Sequence, residues 1–114
     1  MRADKLTSKF QEALSDAQSL ALGADHAYIE PAPLLAAMLQ QQDGAKPLLE
    51  RAGANTGALL QAANKALAKL PQVSGQEQIT VGRDLSALLQ ATEKEAIKRG
   101  DQFIASELFF LALA

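Results

Sequence analysis

The feature that most constrains the fold is an internal repeat. The stretch 25–31 is a weaker copy of part of the stretch 100–110, and aligning Ile29 with Ile104 gives an offset of 75 residues. At that offset apolar positions meet apolar positions, and the matched pairs include Phe10 and Leu85, Leu14 and Leu89, Ala21 and Ala96, Leu22 and Ile97, and Tyr28 and Phe103. A fixed period of this kind is typical of a repeated helical unit that buries its apolar face against its neighbour. The sequence therefore predicts an all-α, pseudo-twofold tandem repeat of a four-helix unit, in which an aromatic residue and an isoleucine form an elbow between a long helix and a shorter one.

Apolar spacing and capping residues predict four helices in the first copy. Thr7 is the expected N-cap of a helix that Gly23 ends. Proline is tolerated in a first turn, where amides have no acceptor within the helix, so Pro31 marks the start of the second helix. Tyr28 and Ile29 lie between these helices, and both are expected to turn into the core. The expected bounds are 8–23, 30 or 31 to about 42, 46–52, and 56 to about 70.

The second copy is shorter than the first. Residues 71–79 lack a helical period and are interpreted as a linker, and residues 79–81 are expected to lie extended against a neighbour. A long helix over about 84–99 ends at Gly100, and Ser106 is the expected cap of a last helix. Equivalents of the third and fourth helices would need roughly thirty more residues. We therefore expect one domain over 1–114, with repeat one at about 1–70, the linker at about 71–79 and a truncated repeat two at about 80–114.

Composition disfavours several classes of function. Eleven basic residues against thirteen acidic ones leave a net charge of -2, which gives no broad field for nucleic acid or an anionic membrane. The chain has no cysteine, no apolar signal core and no apolar run long enough to span a membrane, so a cytoplasmic protein is expected. His26 is the one histidine in the sequence. It is expected to face solvent in a polar loop, and no metal site is expected.

No pattern of catalytic residues stands out. The sequence has no phosphate-binding loop, dinucleotide-binding glycine pattern, paired-histidine zinc motif or calcium loop. Asp101 and Glu107 flank a helix start, but no histidine, lysine or metal set accompanies them as a carboxylate pair. They are interpreted either as acids satisfied by backbone amides or as the polar rim of an apolar groove. We expect no enzyme activity and no cofactor in this chain.

Motifs at both ends and in the linker carry a family resemblance. They are Leu6-Thr7, Lys9-Phe10, the stretch 16–23, the linker stretch 70–73, the stretch 98–101, Phe103-Ile104 and the stretch 106–109. Together they resemble the Clp N-terminal (double Clp repeat) domain family, and within it the ClpB-type disaggregases. The resemblance implies an N-terminal module that helps capture unfolded or aggregated polypeptide for threading. For the whole protein it implies ATPase modules that use ATP and Mg²⁺, a coiled coil, a homohexamer and a DnaK-type chaperone as partner.

The resemblance also implies a substrate-binding site with three polar residues. Thr7, Asp101 and Glu107 match the family motif and fall where the start of the first helix could meet the elbow of the second repeat. Thr7 is equally well explained as a helix cap. For the two acids we favour a functional role, because an acid beside exposed apolar surface can orient the backbone amides or basic side chains of a client.

The apolar part of the expected site lies on the last two helices. Leu108 is expected to supply apolar contact, and Leu89 belongs to an apolar face that a truncated second repeat would leave partly uncovered. Ala91 and Glu95 stand where leucine is expected in relatives, so the floor of the site should be less apolar than theirs.

Two other classes of function are considered. One keeps the architecture but makes the chain an adaptor-docking or substrate-docking domain of a ClpA/ClpC-type unfoldase of a proteolytic complex. The other is a free-standing enzyme or a helix-turn-helix DNA-binding protein, which the missing motifs and the charge of -2 disfavour.

Overall fold

The computed structural model describes residues 3–41, 44–75 and 77–113. A 3-10 turn over Ala3–Lys5 leads into the first of six α-helices in these ranges. They are α1 Ser8–Gly23, α2 Pro31–Gln40, α3 Lys46–Arg51, α4 Thr56–Ala68, α5 Arg83–Arg99 and α6 Ser106–Leu113. The described backbone forms isolated bridges and no β-strand. The all-α prediction is confirmed.

Local sequence patterns located the helix starts well. The Oγ1 of Thr7 accepts a hydrogen bond from the N–H of Phe10 at 3.3 Å, which is the expected cap of α1. The Oδ1 of Asn55 accepts from Ala58 at 3.0 Å and caps α4 in the same way. Pro31 is the first residue of α2. The expected end of that helix, at residue 42, lies outside the described residues.

The two copies are joined by a pair of backbone bridges. Leu6, just before α1, pairs in parallel with Ile104 of the second elbow. Val81, just before α5, pairs in parallel with Ile29 of the first elbow. Both partners of one bridge lie 75 residues from their counterparts in the other. Each copy therefore places its elbow against the segment that precedes the long helix of the other copy, and within residues 79–81 it is Thr80 and Val81 that pair with Ile29.

Hydrogen bonds at the bridges repeat the same symmetry. The N–H of Thr7 donates to the carbonyl oxygen of Ile104 at 3.0 Å, and the N–H of Gly82 donates to that of Ile29 at 3.0 Å. Because the backbone obeys the offset, the pseudo-twofold relation is a property of the chain path as well as of the side-chain pattern.

The two long helices also end alike. Asp25 and Gly100, again 75 residues apart, adopt the left-handed conformation with φ of 61° and 74°. The N–H of the residue after each donates to a carbonyl of the last turn, His26 to Ala21 at 2.9 Å and Asp101 to Ala96 at 3.0 Å. This arrangement satisfies carbonyls that the helix end would leave unpaired. Aspartate is one of the few side chains that tolerate the left-handed conformation.

One hydrophobic core runs through both copies. Phe10 of α1 and Phe109 of α6 are fully buried, and their rings meet edge to face with centroids 6.2 Å apart and an interplanar angle of 74°. The residues 75 positions away, Leu85 and Leu34, are also fully buried. Helix α2 packs against α1 and α4, and α5 packs against α6.

The aromatic residue of each elbow faces outward, so the expectation that both Tyr28 and Ile29 enter the core was wrong in part. Tyr28 and Phe103 are 55% and 51% exposed, whereas Ile29 and Ile104 are buried. Neighbouring side chains of an extended segment point to opposite sides. Once the isoleucine is buried at the bridge, the residue before it must face solvent.

His26 is buried, contrary to the expectation of a solvent-facing loop residue; it is 3% exposed. The start of the linker covers it, because Gln72 pairs with His26 in an antiparallel bridge and Val73 donates to the carbonyl of Asp25 at 2.7 Å. Nothing near residue 26 in the sequence shows that a segment so far along the chain will fold over it.

Ser106 does not have the expected capping role. It is the first residue of α6, and its hydroxyl oxygen is buried and has no hydrogen-bond partner among the described residues. The N–H of Leu108 instead donates to the carbonyl of Ala105 at 3.1 Å.

Candidate functional site

Thr7 ties the start of α1 to the elbow of the second copy. Its side chain caps α1 through Phe10, and its own N–H is bonded to Ile104. Thr7 is half-buried. The start of α1 therefore does meet the second elbow, as the sequence predicted. Thr7 has a structural role at this junction, as a helix cap and as a hydrogen-bond donor, whether or not it also binds a ligand.

The two acids of the expected site lie on either side of the same elbow. Asp101 is exposed and directly follows Gly100, and Glu107 is half-buried in the first turn of α6. A carboxylate at that position of Glu107 interacts favourably with the dipole of α6. Across the described ranges neither carboxylate forms an ion pair, so both can accept hydrogen bonds from a ligand.

A depression of about 310 Å³ opens beside Asp101. It is lined by Lys5, Glu93, Ala96, Ile97, Asp101, Gln102 and Ile104. Ala96 and Ile104 are buried and form its apolar floor, while Ile97 is 72% exposed. Thr7 and Glu107 are not among its lining residues. The structure thus brings Asp101 together with Ile97 and Glu93, which sequence reasoning had not placed in the site.

Ile97 could have been noticed from the sequence. It interrupts the charged run from Lys94 to Arg99 with an aliphatic side chain, and it lies off the buried stripe of α5. An exposed aliphatic residue in a charged helix segment is a candidate contact residue, although single exposed apolar residues are also common.

Ala91 and Glu95 lie on the opposite flank of α5. Thr92 and Ala96 are buried, and in a helix the residues before and after a buried position fall about 100° to either side of it. Ala91 is exposed, and the Oε1 of Glu95 pairs with the Nε of Arg99 at 2.9 Å. The structure therefore divides the expected site between two surfaces.

Leu89 and Leu108 lie in the core. They are 9% and 7% exposed and belong to the same buried cluster as Phe10 and Phe109. In this conformation they are part of the core and are not exposed for direct contact with a polypeptide.

A second depression, of about 260 Å³, is almost entirely apolar. It is lined by Leu35, Leu39, Leu49, Leu59, Phe110 and Leu113. Leu35 and Phe110 are matched by the repeat offset, so the depression lies where the α2 and α6 faces of the two copies meet. Leu59 and Leu113 at its edge are exposed.

The described ranges contain no group of histidine, cysteine, aspartate or glutamate residues that could hold a metal ion. None of the helices in these ranges is long and apolar enough to cross a membrane.

Comparison with known proteins shows the family. The model of the Clp repeat (R) N-terminal domain matches residues 5–114. The chain belongs to this family.

One relative is similar to this Clp N-domain in sequence and another is similar to it in fold. The chaperone protein ClpB of Pseudomonas putida is 48% identical over 114 residues, and the match covers 98% of this chain. The chain spans only 13% of the length of that relative. The N-terminal domain of the ClpV1 ATPase from the E. coli EAEC Sci1 T6SS superposes with a TM-score of 0.87 at 28% identity, covering 96% of this chain and 68% of that one.

A ClpV N-domain has also been solved in complex with a VipB peptide. It matches with a TM-score of 0.80 at 21% identity, covering 96% of this chain and 67% of that one. At that identity the likeness shows the Clp N-domain fold alone.

Proposed function

We propose that this chain is the substrate-binding N-terminal module of a ClpB-type disaggregase, which helps capture unfolded or aggregated polypeptide for threading. The observation that carries the proposal is the exposed aliphatic side chain of Ile97 beside Asp101, whose carboxylate has no ion pair among the described residues, at an elbow whose Phe103 is also exposed. The 48% identity to the N-terminal part of a ClpB chaperone supports the same assignment. An apolar surface with a polar rim suits a ligand that offers both exposed side chains and free backbone amides.

The size of the surface predicts weak binding. Burying one aliphatic side chain contributes at most about 1.5–3 kcal/mol. Association of two molecules costs at least about 4 kcal/mol in lost translational and rotational freedom. A single module should therefore hold a client only briefly, which allows the client to pass on to the next step.

Several modules acting together would bind more firmly. We propose that the whole protein is a homohexamer, so that a long unfolded chain meets several copies of the module and is retained by avidity. We also propose that the whole protein binds ATP and Mg²⁺ in separate modules, works with a DnaK-type chaperone and acts in the cytoplasm. The module itself is proposed to be non-catalytic and to bind neither nucleic acid nor membranes.

We assign roles to the expected site residues on this basis. Asp101 and Glu107 accept hydrogen bonds from the amides or basic side chains of the client, and Thr7 fixes the elbow between them. Leu89 and Leu108 hold the elbow from within the core. Ala91 and Glu95 contribute a separate, more polar flank of α5.

A second candidate function is that of an adaptor-docking or substrate-docking domain in a ClpA/ClpC-type unfoldase of a proteolytic complex, which would bind one specific peptide or adaptor. The observation that favours it is the ClpV N-domain complex with a VipB peptide, which has the same fold. The two functions differ in selectivity. A capture module binds many unrelated unfolded chains with similar low affinity, whereas a docking module binds one segment much more tightly than its scrambled form.

Replacement of Glu107 by alanine tests the proposed function. The binding partner is a permanently unfolded polypeptide, such as reduced and carboxymethylated α-lactalbumin. It is added unlabelled to the isotope-labelled module, and binding is measured from the NMR shifts of the module. We expect the variant to bind at least threefold more weakly while its melting temperature stays within a few degrees, because the helix-dipole contribution is only about 0.3–1 kcal/mol. Glu77→Gln, in the exposed linker, is the control. Unchanged binding with a sharply lower melting temperature would make Glu107 a structural residue and count against the proposed site.

A further inference from the structure

The depression beside Asp101 combines an apolar floor with two acids at its edge. Ala96 and Ile104 are 2% and 4% exposed and form the floor, and Ile97 stands beside them as an exposed aliphatic wall. Glu93 is one turn before Ile97 on α5 and therefore shares its flank of the helix. In the part of the chain that the structure describes, the carboxylates of Glu93 and Asp101 have no hydrogen bond or ion pair.

Lys5 is the third charged residue of the lining. Its carbonyl oxygen accepts a hydrogen bond from the N–H of Ile104 at 2.7 Å, so its backbone is fixed at the bridge while its side chain is exposed. Two acids and one base leave the lining with a net negative charge. The depression is therefore complementary to a cation.

We propose that this depression takes a lysine or arginine side chain of an unfolded polypeptide. The aliphatic part of that side chain lies against Ile97 and the floor, and its charged end reaches Glu93 and Asp101. The inference rests on the proposed function and deepens it, because it names the class of client segment that the site prefers.

The dimensions and the chemistry both favour such a side chain. A volume of about 310 Å³ is at the lower limit for a small-molecule pocket, so the depression suits one long side chain. Lysine and arginine bury their methylene groups along apolar surface while their charged ends stay at the rim. Arginine has the further advantage of a planar group whose donors can reach two carboxylates at once. The favoured clients are therefore segments in which basic and apolar residues alternate.

Matched peptides test the charge preference. Three unfolded octapeptides are compared, in which leucine alternates with arginine, with glutamine or with glutamate. In low salt we expect the arginine peptide to bind about three- to tenfold more tightly than the glutamine peptide, which is the range that one or two partly exposed ion pairs provide. The glutamate peptide should bind most weakly. Binding is followed by NMR titration, with the largest shifts expected at Glu93, Ile97 and Gln102.

Variants test the individual residues. The double change Glu93→Gln and Asp101→Asn should remove the advantage of arginine over glutamine, whereas Glu77→Gln should keep it. Ile97→Ser should weaken binding of both peptides about tenfold, because it removes the apolar wall. The matched control is Leu48→Ser, which changes an exposed leucine on α3. Dispersed NMR spectra establish that each variant is folded.

The outcomes separate this inference from the proposed function. Equal affinity for the arginine and glutamine peptides would overturn the inference. Shifts confined to the surroundings of Thr7 and Glu107, with none at Ile97, would overturn it too, but would leave the chain a polypeptide-binding module. If neither the peptides nor an unfolded polypeptide bound anywhere on the chain, both proposals would fall.

Discussion

Replacing Phe109 with leucine tests whether the two copies share one core. Phe109 is fully buried, and it meets the ring of Phe10 from the other copy edge to face. Losing that contact and leaving a partly filled cavity should destabilise the fold by about 1–3 kcal/mol, which is less than the 3–5 kcal/mol typical of removing a whole aromatic side chain. Phe10→Leu should cost a similar amount. Against a total stability of about 5–15 kcal/mol for a domain of ordinary size, either loss is easily measured.

Urea unfolding followed by circular dichroism measures these changes in a double-mutant cycle. With a slope of about 2 kcal/mol per molar urea, each single variant should lower the midpoint by roughly 1 M. The double variant should lose about 0.5–1.5 kcal/mol less than the sum of the two single losses, because the ring contact is lost only once. Phe103→Leu changes an exposed phenylalanine of the same copy and should cost under about 0.5 kcal/mol. Strictly additive losses, or an equal loss at Phe103, would refute the shared core.

Three further predictions concern helix ends and exposed surface. Gly100→Ala should destabilise the fold by about 1 kcal/mol in urea unfolding, because φ at that position is 74°. Gly23→Ala should be neutral or stabilise the fold by up to about 1 kcal/mol, because Gly23 is helical and an added Cβ meets nothing, and equal effects of the two changes would contradict this. Thr7→Ala should cost about 1 kcal/mol through loss of the α1 cap, with Thr7→Ser close to wild type, and a Ser variant as unstable as the Ala variant would exclude the cap as the cause. Leu113→Ser should reduce any concentration-dependent association seen by light scattering, because Leu113 is at the exposed edge of the apolar depression, and unchanged association would place the contact elsewhere.

The parts of the fold that depend on neighbouring residues could be predicted from the sequence. The caps at Thr7 and Asn55 and the proline at the start of α2 act within one turn of helix, and each has the predicted role. The offset of 75 residues, found from side-chain types, also relates backbone features: the two bridges and the two left-handed residues after the long helices.

The parts that depend on distant segments could not be predicted in this way. His26 is buried by Gln72 and Val73, which the sequence gives no reason to place against it. Gly23 is the last residue of α1, as predicted, but the left-handed residue that follows the helix is Asp25, which was not singled out from the sequence.

The candidate site could be predicted only in outline, because its surface comes from three separate segments. Lys5, the flank of α5 and the residues after Gly100 form one depression once the bridge between Leu6 and Ile104 has formed. Asp101 was included in the site from the sequence, but the sequence could not show that Ala91 and Glu95 lie on a different surface from Asp101. The division follows from the rotation of α5, which the burial of Thr92 and Ala96 determines.

Site-specific crosslinking to an unfolded polypeptide tests the central claim most directly. The chain has no cysteine, so a single cysteine can carry a photoreactive group at a chosen position. Gln102→Cys places the group in the lining of the depression beside Asp101, and Ser19→Cys places it at an exposed position of α1 that lines none of the depressions described above. If the elbow junction captures unfolded polypeptide, carboxymethylated α-lactalbumin should be crosslinked efficiently from residue 102 and poorly from residue 19. Equal crosslinking from both positions, or a preference for residue 19, would contradict the account.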